Sequence, residues 1–222
     1  MFDQVYCLNL NRRPDRWAAF RERLPEDWPF AAPQRWAAVD GQTETPPTYW
    51  GRTRGAWGCF RSHIAIMRYA IEAGVRSVLI LEDDAVFVDG FAEKVRAFWK
   101  CLPADWDHIY LGGQHYNTHQ ELPRVIAPGV VRCYNVNRTH AHAMRGRYIP
   151  AVLKFIQRAR FNLHIDYQFG ELHMGKKYNV YAPRPWLVGQ GAGVSDVGRE
   201  GVKEPREEKE RFWNGFKTEG EP

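Results

Sequence analysis

The 222-residue chain has no long apolar run. Val78-Leu79-Ile80-Leu81 is typical of its apolar stretches, far short of the roughly 20 residues that a membrane-spanning helix needs. A basic, apolar leader is also missing: Met1-Phe2-Asp3-Gln4 puts an acid where a secretory signal carries basic residues, so the expected location is the cytoplasm. Cysteine is scarce. Cys7, Cys59, Cys101 and Cys133 lie far apart, with no C-x-x-C pair and no histidine at zinc-finger spacing, which argues against a disulfide framework and against a zinc site. The chain has neither G-x-G-x-x-G nor G-x-x-x-x-G-K-[ST], so a Rossmann dehydrogenase or a P-loop enzyme is not supported. Internal repeats are absent as well.

Acidic residues are missing from one long stretch. Between Leu122 and Ile165 there are none, against Arg124, Arg132, Arg138, Arg145, Arg147, Lys154, Arg158 and Arg160. The net charge of +5 is therefore concentrated there and points to an anionic partner: phosphate, nucleic acid or a membrane surface touched peripherally. A solvated basic face is the plain alternative. With 44% hydrophobic and 26% charged residues, the rest of the composition suits one soluble domain with a full core.

What is present alternates. Strand-like runs at Phe2 to Leu10, Arg35 to Val39, Val75 to Leu81, Trp106 to Leu111, Val130 to Asn137 and Tyr178 to Ala182 are interleaved with helix-like runs. Those helices are expected at Trp17 to Leu24, Ser62 to Ala73 (with Gly74 as its stop), Phe91 to Leu102 and Tyr148 to Arg160. The pattern predicts an α/β fold, a three-layer Rossmann-like domain with a mostly parallel central sheet, over residues 1–196. Residues 197–222 read as a charged tail, helical around Glu207 to Phe216.

Chemistry gathers at three places. Glu82-Asp83-Asp84 ends the most apolar strand, the position where open α/β sheets bind ligands. Carboxylates spaced by one residue suit a hard divalent cation, Mg²⁺ or Mn²⁺, which would in turn hold a diphosphate. Asn9-Leu10-Asn11-Arg12-Arg13-Pro14-Asp15-Arg16 puts three arginines at a helix N-terminus, a nucleotide-diphosphate corner. Gly58-Cys59-Phe60-Arg61-Ser62-His63 places a hydroxyl and an imidazole ahead of the acidic strand, with Ser62 also readable as a helix cap.

These blocks, in this order, resemble glycosyltransferase family 25. The resemblance runs from Val5-Tyr6-Cys7-Leu8-Asn9-Leu10 through Ala38-Val39-Asp40-Gly41, the Gly58 to His63 segment, Leu79 to Asp84, Tyr110-Leu111-Gly112, Thr139-His140-Ala141-His142 and Ile165-Asp166. It ends with Val180-Tyr181-Ala182, Leu187-Val188, Gln190 and Ser195-Asp196. It implies an A-type glycosyltransferase fold, a nucleotide-sugar donor such as a uridine diphosphate hexose, Mn²⁺ or Mg²⁺, and inversion at the sugar carbon. Glu82 and Asp84 are then the expected metal ligands. Asn9, Leu10, Arg13, Arg16, Asp40, Ser62, His63 and Asp83 surround the donor, and Asp166 is the base, with Glu171 in reserve. His142 replaces the family's usual aromatic, and His140, His142 and Gln190 are expected to meet the acceptor or a metal.

The implied acceptor is a surface glycan or lipooligosaccharide precursor. The basic stretch, with Tyr116, Tyr134 and Tyr148 interleaved, also fits a hydroxymethylated base in DNA. Two further readings use the same residues: a non-catalytic sugar-nucleotide-binding relative, and a metal phosphoesterase, for which only His140, His142 and Asp166 are available as a second cluster.

Overall fold

The computed structural model describes residues 1–116, 122–158, 163–193, 195–198 and 210–219. Its elements in chain order begin with β1 (Gln4–Leu10), α1 (Pro14–Arg23), β2 (Gln34–Ala38), α2 (Arg54–Glu72), β3 (Ser77–Glu82), β4 (Ala85–Phe87), α3 (Phe91–Cys101) and β5 (His108–His115). They continue with β6 (Arg124–Ala127), β7 (Val130–Arg132), β8 (Val136–Arg145), α4 (Ile149–Arg158), α5 (Ile165–Met174), β9 (Val180–Pro183) and β10 (Val188–Gln190).

Eight strands form one sheet in the order β2-β1-β3-β8-β5-β9-β7-β6. β1, β2 and β3 pair in parallel, as do β5 and β9; β8 runs against β3 and β5, and β7 against β9 and β6. All strands but β7 and β8 thus point the same way, and the sheet is mostly parallel as the alternation predicted. β4 and β10 form a small antiparallel ribbon beside it. Val78, Leu79, Ile80 and Leu81 of β3 are wholly buried because helices cover both faces. On one face Leu79 and Leu81 pack with Phe20 of α1 and with Phe91, Val95 and Phe98 of α3. On the other, Val78 and Ile80 pack with Ile66, Met67 and Ala70 of α2, Val152 of α4 and Phe169 of α5. Among the described residues no helix is long and apolar enough to cross a membrane.

Three sequence expectations change. α2 starts at Arg54, not at Ser62: the Thr53 hydroxyl accepts the Ala56 amide at 3.0 Å and is the cap, while Ser62 lies inside the helix. The expected strand Val130 to Asn137 is two strands, and β8 runs on through the His140-Ala141-His142 segment. Residues 210–219 are not helical. Arg211 bridges to Gln190, Asn214 accepts the Trp186 amide at 2.7 Å, and Phe216 is buried against His115 and Trp186. This segment is therefore part of the packed body.

β5 carries Gly112 where the sheet and the β10 ribbon come closest. A Cβ there would stand 2.2 Å from the Val188 carbonyl oxygen and 2.4 Å from His140 Nε2. Gly112→Ala is expected to destabilise the protein by about 3 kcal/mol, since backbone on one side and a buried ring on the other leave no room to yield. An unchanged urea midpoint would contradict this packing.

Candidate active site

A cleft of about 540 Å³ opens at the carboxyl ends of β1, β2 and β3. Leu10, Arg12, Arg16, Asp40, Ser62, Asp83, Asp84, Gln114, Asn137, Arg138, Asp166, Gln190 and Asp196 are among its lining residues, and the volume suits a nucleotide-sized ligand. Each lining segment arrives for a local reason. Gly58 in α2 lets the turn after β2 lie flat on the helix: a Cβ would meet the Val39 carbonyl at 2.5 Å and the Gly41 amide at 2.6 Å. Ser62 fastens the same turn by donating to the Gly58 carbonyl (2.7 Å) and accepting the Val39 amide (2.9 Å).

The floor is acidic and unevenly satisfied. Asp83 is engaged on both oxygens, by Arg16 at 2.7 Å and Asn9 at 2.7 Å. Glu82 accepts the Thr139 hydroxyl at 2.7 Å. Asp84 has a buried Oδ1 with no hydrogen-bond partner, and its Oδ2 has only distant contacts with Arg16 (3.3 Å) and Gln190 (3.4 Å). Burial, then repulsion from Glu82, pushes the Asp84 carboxyl up to about 7. An under-satisfied carboxylate beside a second one fits the oxygen donor set of a hard divalent cation.

Above the floor sits an arginine corner. Asp196 takes Arg12 at 2.8 Å, Arg13 at 2.9 Å and Arg16 at 3.1 Å. Three guanidinium groups converging on one carboxylate are also an arrangement that a phosphate could take over. Arg12 additionally holds Asp40 at 2.7 Å. Asp166, another lining residue, lies in the first turn of α5, where its carboxylate accepts the backbone amides of Arg138 (3.1 Å) and Tyr167 (2.9 Å).

The family model described as Glycosyltransferase family 25 (LPS biosynthesis protein) matches residues 2–159. The chain belongs to glycosyltransferase family 25. It is 32% identical over 166 residues to the Homo sapiens protein called Inactive glycosyltransferase 25 family member 3, covering 65% of this chain and 27% of that one. To the Danio rerio protein Procollagen galactosyltransferase 1 it is 31% identical over 147 residues, 56% of this chain and 24% of that one. It spans about a quarter of the length of these relatives. Among solved structures, A197 from STIV aligns at TM-score 0.46 with 12% identity over 92% of this chain and 98% of that chain. A glycosyltransferase involved in glycosylation of the PBCV-1 major capsid aligns at 0.44 with 11% identity, over 77% and 73% of the two chains.

Of the residues expected to surround a donor in family 25, the structure brings Leu10, Arg16, Asp40, Ser62 and Asp83 to the cleft wall, with Glu82 and Asp84 at its floor. Asn9 and Arg13 stand behind the lining: Asn9 is buried and donates to the Arg13 carbonyl at 2.8 Å, and Arg13 turns to Asp15 at 2.9 Å. Arg12 lines the cleft directly, and Arg13 reaches it through Asp196 at 2.9 Å. His63 is fully buried behind Glu82.

The later blocks divide. Asp166 and Gln190 line the cleft, whereas Glu171 is exposed on α5 away from the lining, so it is no substitute base. His140 and His142 are also corrected: both are wholly buried and neither lines the cleft. His140 hydrogen-bonds the Val188 carbonyl at 3.3 Å, and His142 lies between His63 (3.3 Å) and His108 (3.0 Å). Burial and mutual repulsion hold His108 and His142 well below the usual imidazole range, and burial holds His173 at about 3. These rings are neutral.

The acid-free stretch does not form one face. β8 runs against β3, so Arg145 pairs with Ser77 at the far end of the sheet; there Arg145 and Arg147 bond carbonyls of Ala104 and Asp105. Arg138 alone among the described basic residues of that stretch lines the cleft, and Arg160 falls outside the described residues. Sequence reading passed over Asp196 and Arg12 as individual site residues, although Asp196 sat in a matching block. It also passed over Cys59, which shares a helix face with His63 at i, i+4.

Proposed function

We propose that this domain transfers a hexose from a nucleotide-sugar donor to a hydroxyl of a glycan acceptor, with inversion at the sugar carbon. One observation carries the reading. One cleft of donor size gathers the acidic turn after β3, guanidinium groups from the β1–α1 turn and the Asp166 carboxylate from the first turn of α5.

In this reading the donor diphosphate lies over Asp84 and Glu82, against Arg12 and Arg16. A divalent cation held by Asp84 and Glu82, Mn²⁺ or Mg²⁺, would supply charge compensation for the departing diphosphate. Asp196 keeps the three arginines together until the diphosphate exchanges with it. Asp40 and the turn fastened by Ser62 wall the nucleoside side. Asp166 then takes the proton from the acceptor hydroxyl as that oxygen attacks the sugar carbon from the side opposite the diphosphate. Arg138, whose amide orients Asp166, stands where the acceptor would enter, and glycans bearing phosphate or carboxylate are favoured there.

A second reading, donor binding without turnover, is favoured by two points. A relative carries the word inactive in its name, and both Asp166 oxygens already serve backbone amides. One assay separates the two. The protein is incubated with Mn²⁺ and nucleotide sugars, UDP-galactose first because a relative is called a galactosyltransferase, and nucleoside diphosphate release is followed with and without glycan acceptors. Acceptor-stimulated release and a mass gain of one hexose on the acceptor are expected. Saturable donor binding without release under any condition supports the second reading instead.

A further inference from the structure

Behind Glu82 a line of buried groups crosses the interior. His63 Nδ1 meets His142 Nε2 at 3.3 Å, His142 Nδ1 meets His108 Nε2 at 3.0 Å, and His108 Nδ1 meets His173 Nε2 at 3.3 Å. The line ends at the Tyr148 hydroxyl, 2.8 Å from His173 Nε2. All five side chains are buried.

The line can run either way, and the direction that uses the Tyr148 hydrogen starts from its far end. The only hydrogen-bond partner of the Tyr148 hydroxyl among the described residues is His173 Nε2, at 2.8 Å. His173 Nδ1 has no partner whichever nitrogen carries the proton. Reversing the line would strand the tyrosine hydrogen and place a His63 N–H 3.5 Å from the Glu82 carboxylate. With His173 Nε2 accepting from Tyr148, the His108 Nδ1–H shares that one lone pair at 3.3 Å, and His108 accepts through Nε2. The same alternation passes through His142 to His63, whose Nδ1 donates. His63 Nε2 is then left with a bare lone pair, wholly buried and without a hydrogen-bond partner, facing the Glu82 carboxylate at 3.5 Å.

In that direction the lone pair and the Glu82 carboxylate repel each other unless a cation lies between them. Cys59 completes the set: its Sγ, His63 Nε2 and a Glu82 oxygen all lie within 4.8 Å of one another. A tetrahedral ion with bonds of about 2.0–2.3 Å spaces its ligand atoms about 3.3–3.8 Å apart. The 3.5 Å between His63 and Glu82, long for a hydrogen bond, is the right edge for a shared ion. Cys59 and Glu82 line the cleft, so a fourth position faces it.

We infer that Cys59, His63 and Glu82 form a site for a borderline divalent cation of the Zn²⁺ kind, with an open position toward the cleft and with the buried histidine line fixing the ligand tautomer of His63. A thiolate and an imidazole select such an ion over Mg²⁺. The second nitrogen of a metal-bound histidine ordinarily donates to an acceptor that orients it, which is what His142 does here. Uptake converts M²⁺ and the Cys59 thiol to a metal thiolate and releases one proton to water. This site is distinct from the oxygen-only pair of Asp84 and Glu82 in ligand chemistry, though it shares Glu82. The spacing rule for zinc fingers misses it because its ligands come from one helix face and a strand end.

The test is titration of the full chain with Co²⁺, a spectroscopic stand-in for Zn²⁺, in the absence of any nucleotide sugar or acceptor. The expected result is one Co²⁺ taken up with a thiolate-to-cobalt charge-transfer band and the intense visible bands of four-coordination, displaced by Zn²⁺. Cys59→Ser should lose the charge-transfer band, while Cys101→Ser and Asp84→Asn retain it. Should Cys59→Ser fail to fold, Tyr148→Phe serves: removing the anchor of the histidine line should weaken Zn²⁺ binding about 10-fold while leaving the band shape intact. No Co²⁺ uptake, uptake without the band, or a band that survives in Cys59→Ser overturns the site. Because no donor is present, failure of the transferase reading leaves this result untouched, and the reverse also holds.

Discussion

Asp166→Asn is expected to lower kcat for hexose transfer by about 10²–10⁴-fold while leaving donor affinity within a few fold. That range is what a positioned general base contributes to proton removal. Among the described residues its carboxylate bonds neither Asp84 nor the arginines that meet Asp196, so its loss leaves those groups in place. Its present bonds sharpen the expectation. One carboxylate oxygen accepts the Arg138 amide and the other the Tyr167 amide. Asparagine has a single acceptor oxygen, so one amide loses its partner at a cost of about 1 kcal/mol in stability. A purely structural Asp166 would show that stability loss with kcat nearly unchanged. Comparing kcat, donor KM and the urea midpoint of the same variant therefore decides which role the residue has. Asp166→Glu, which keeps a carboxylate but moves it, should recover stability more fully than turnover.

Asp166 also illustrates what sequence can and cannot reveal. Its importance was readable only through resemblance, because α5, which presents it, carries a weak helical pattern interrupted by Gly170 and was not anticipated at all. β3 was plain for the opposite reason. A run of four apolar residues ended by three acids reports both its two-sided burial and its position at the cleft. The long helix before it was seen only in its second half, since Thr53 caps it from within a segment that otherwise reads as loop. β8 was hidden because alanine and histidine fill its buried positions. Burial of His140 and His142 follows from the sheet order, which puts β8 between β3 and β5, and nothing in local sequence announces that neighbour relation. The arginine corner was legible as charge, but its closing carboxylate, Asp196, comes from about 180 residues away. The acid-free stretch misled because a strand that runs the length of the sheet delivers its first arginine to the cleft and its last to the opposite end.

Asp84→Asn is expected to produce two large effects of opposite sign. Activity should fall on the order of 10³-fold, because in the proposed mechanism the variant lacks the oxygen ligand that would hold a charge-compensating cation under the diphosphate, and several kcal/mol of transition-state stabilisation would go with it. The metal-free protein, by contrast, should become more stable at pH 8. The sign follows from the raised carboxyl. Asp84 titrates near 7 in the fold because it is buried beside Glu82, against 3.8 ordinarily. Between those values the folded chain keeps a proton that the unfolded chain has lost, so stability from this group declines as pH rises from about 4 to about 7 and stays low above that. The side chain is 26% exposed, so water screens part of the cost, which is on the order of 2 kcal/mol at pH 8. Asparagine carries no charge and escapes it. Melting curves at pH 5 and pH 8, each with and without Mn²⁺, read all of this together. In the wild type Mn²⁺ should raise Tm at pH 8 far more than at pH 5, where the proton occupies the ligand. In Asp84→Asn the metal-free Tm at pH 8 should rise by several degrees and the Mn²⁺ response should vanish. A variant that still responds to Mn²⁺ at pH 8 as the wild type does would remove Asp84 from the cation site. It would also leave the unpartnered oxygen of Asp84 to be explained by a proton instead of a ligand.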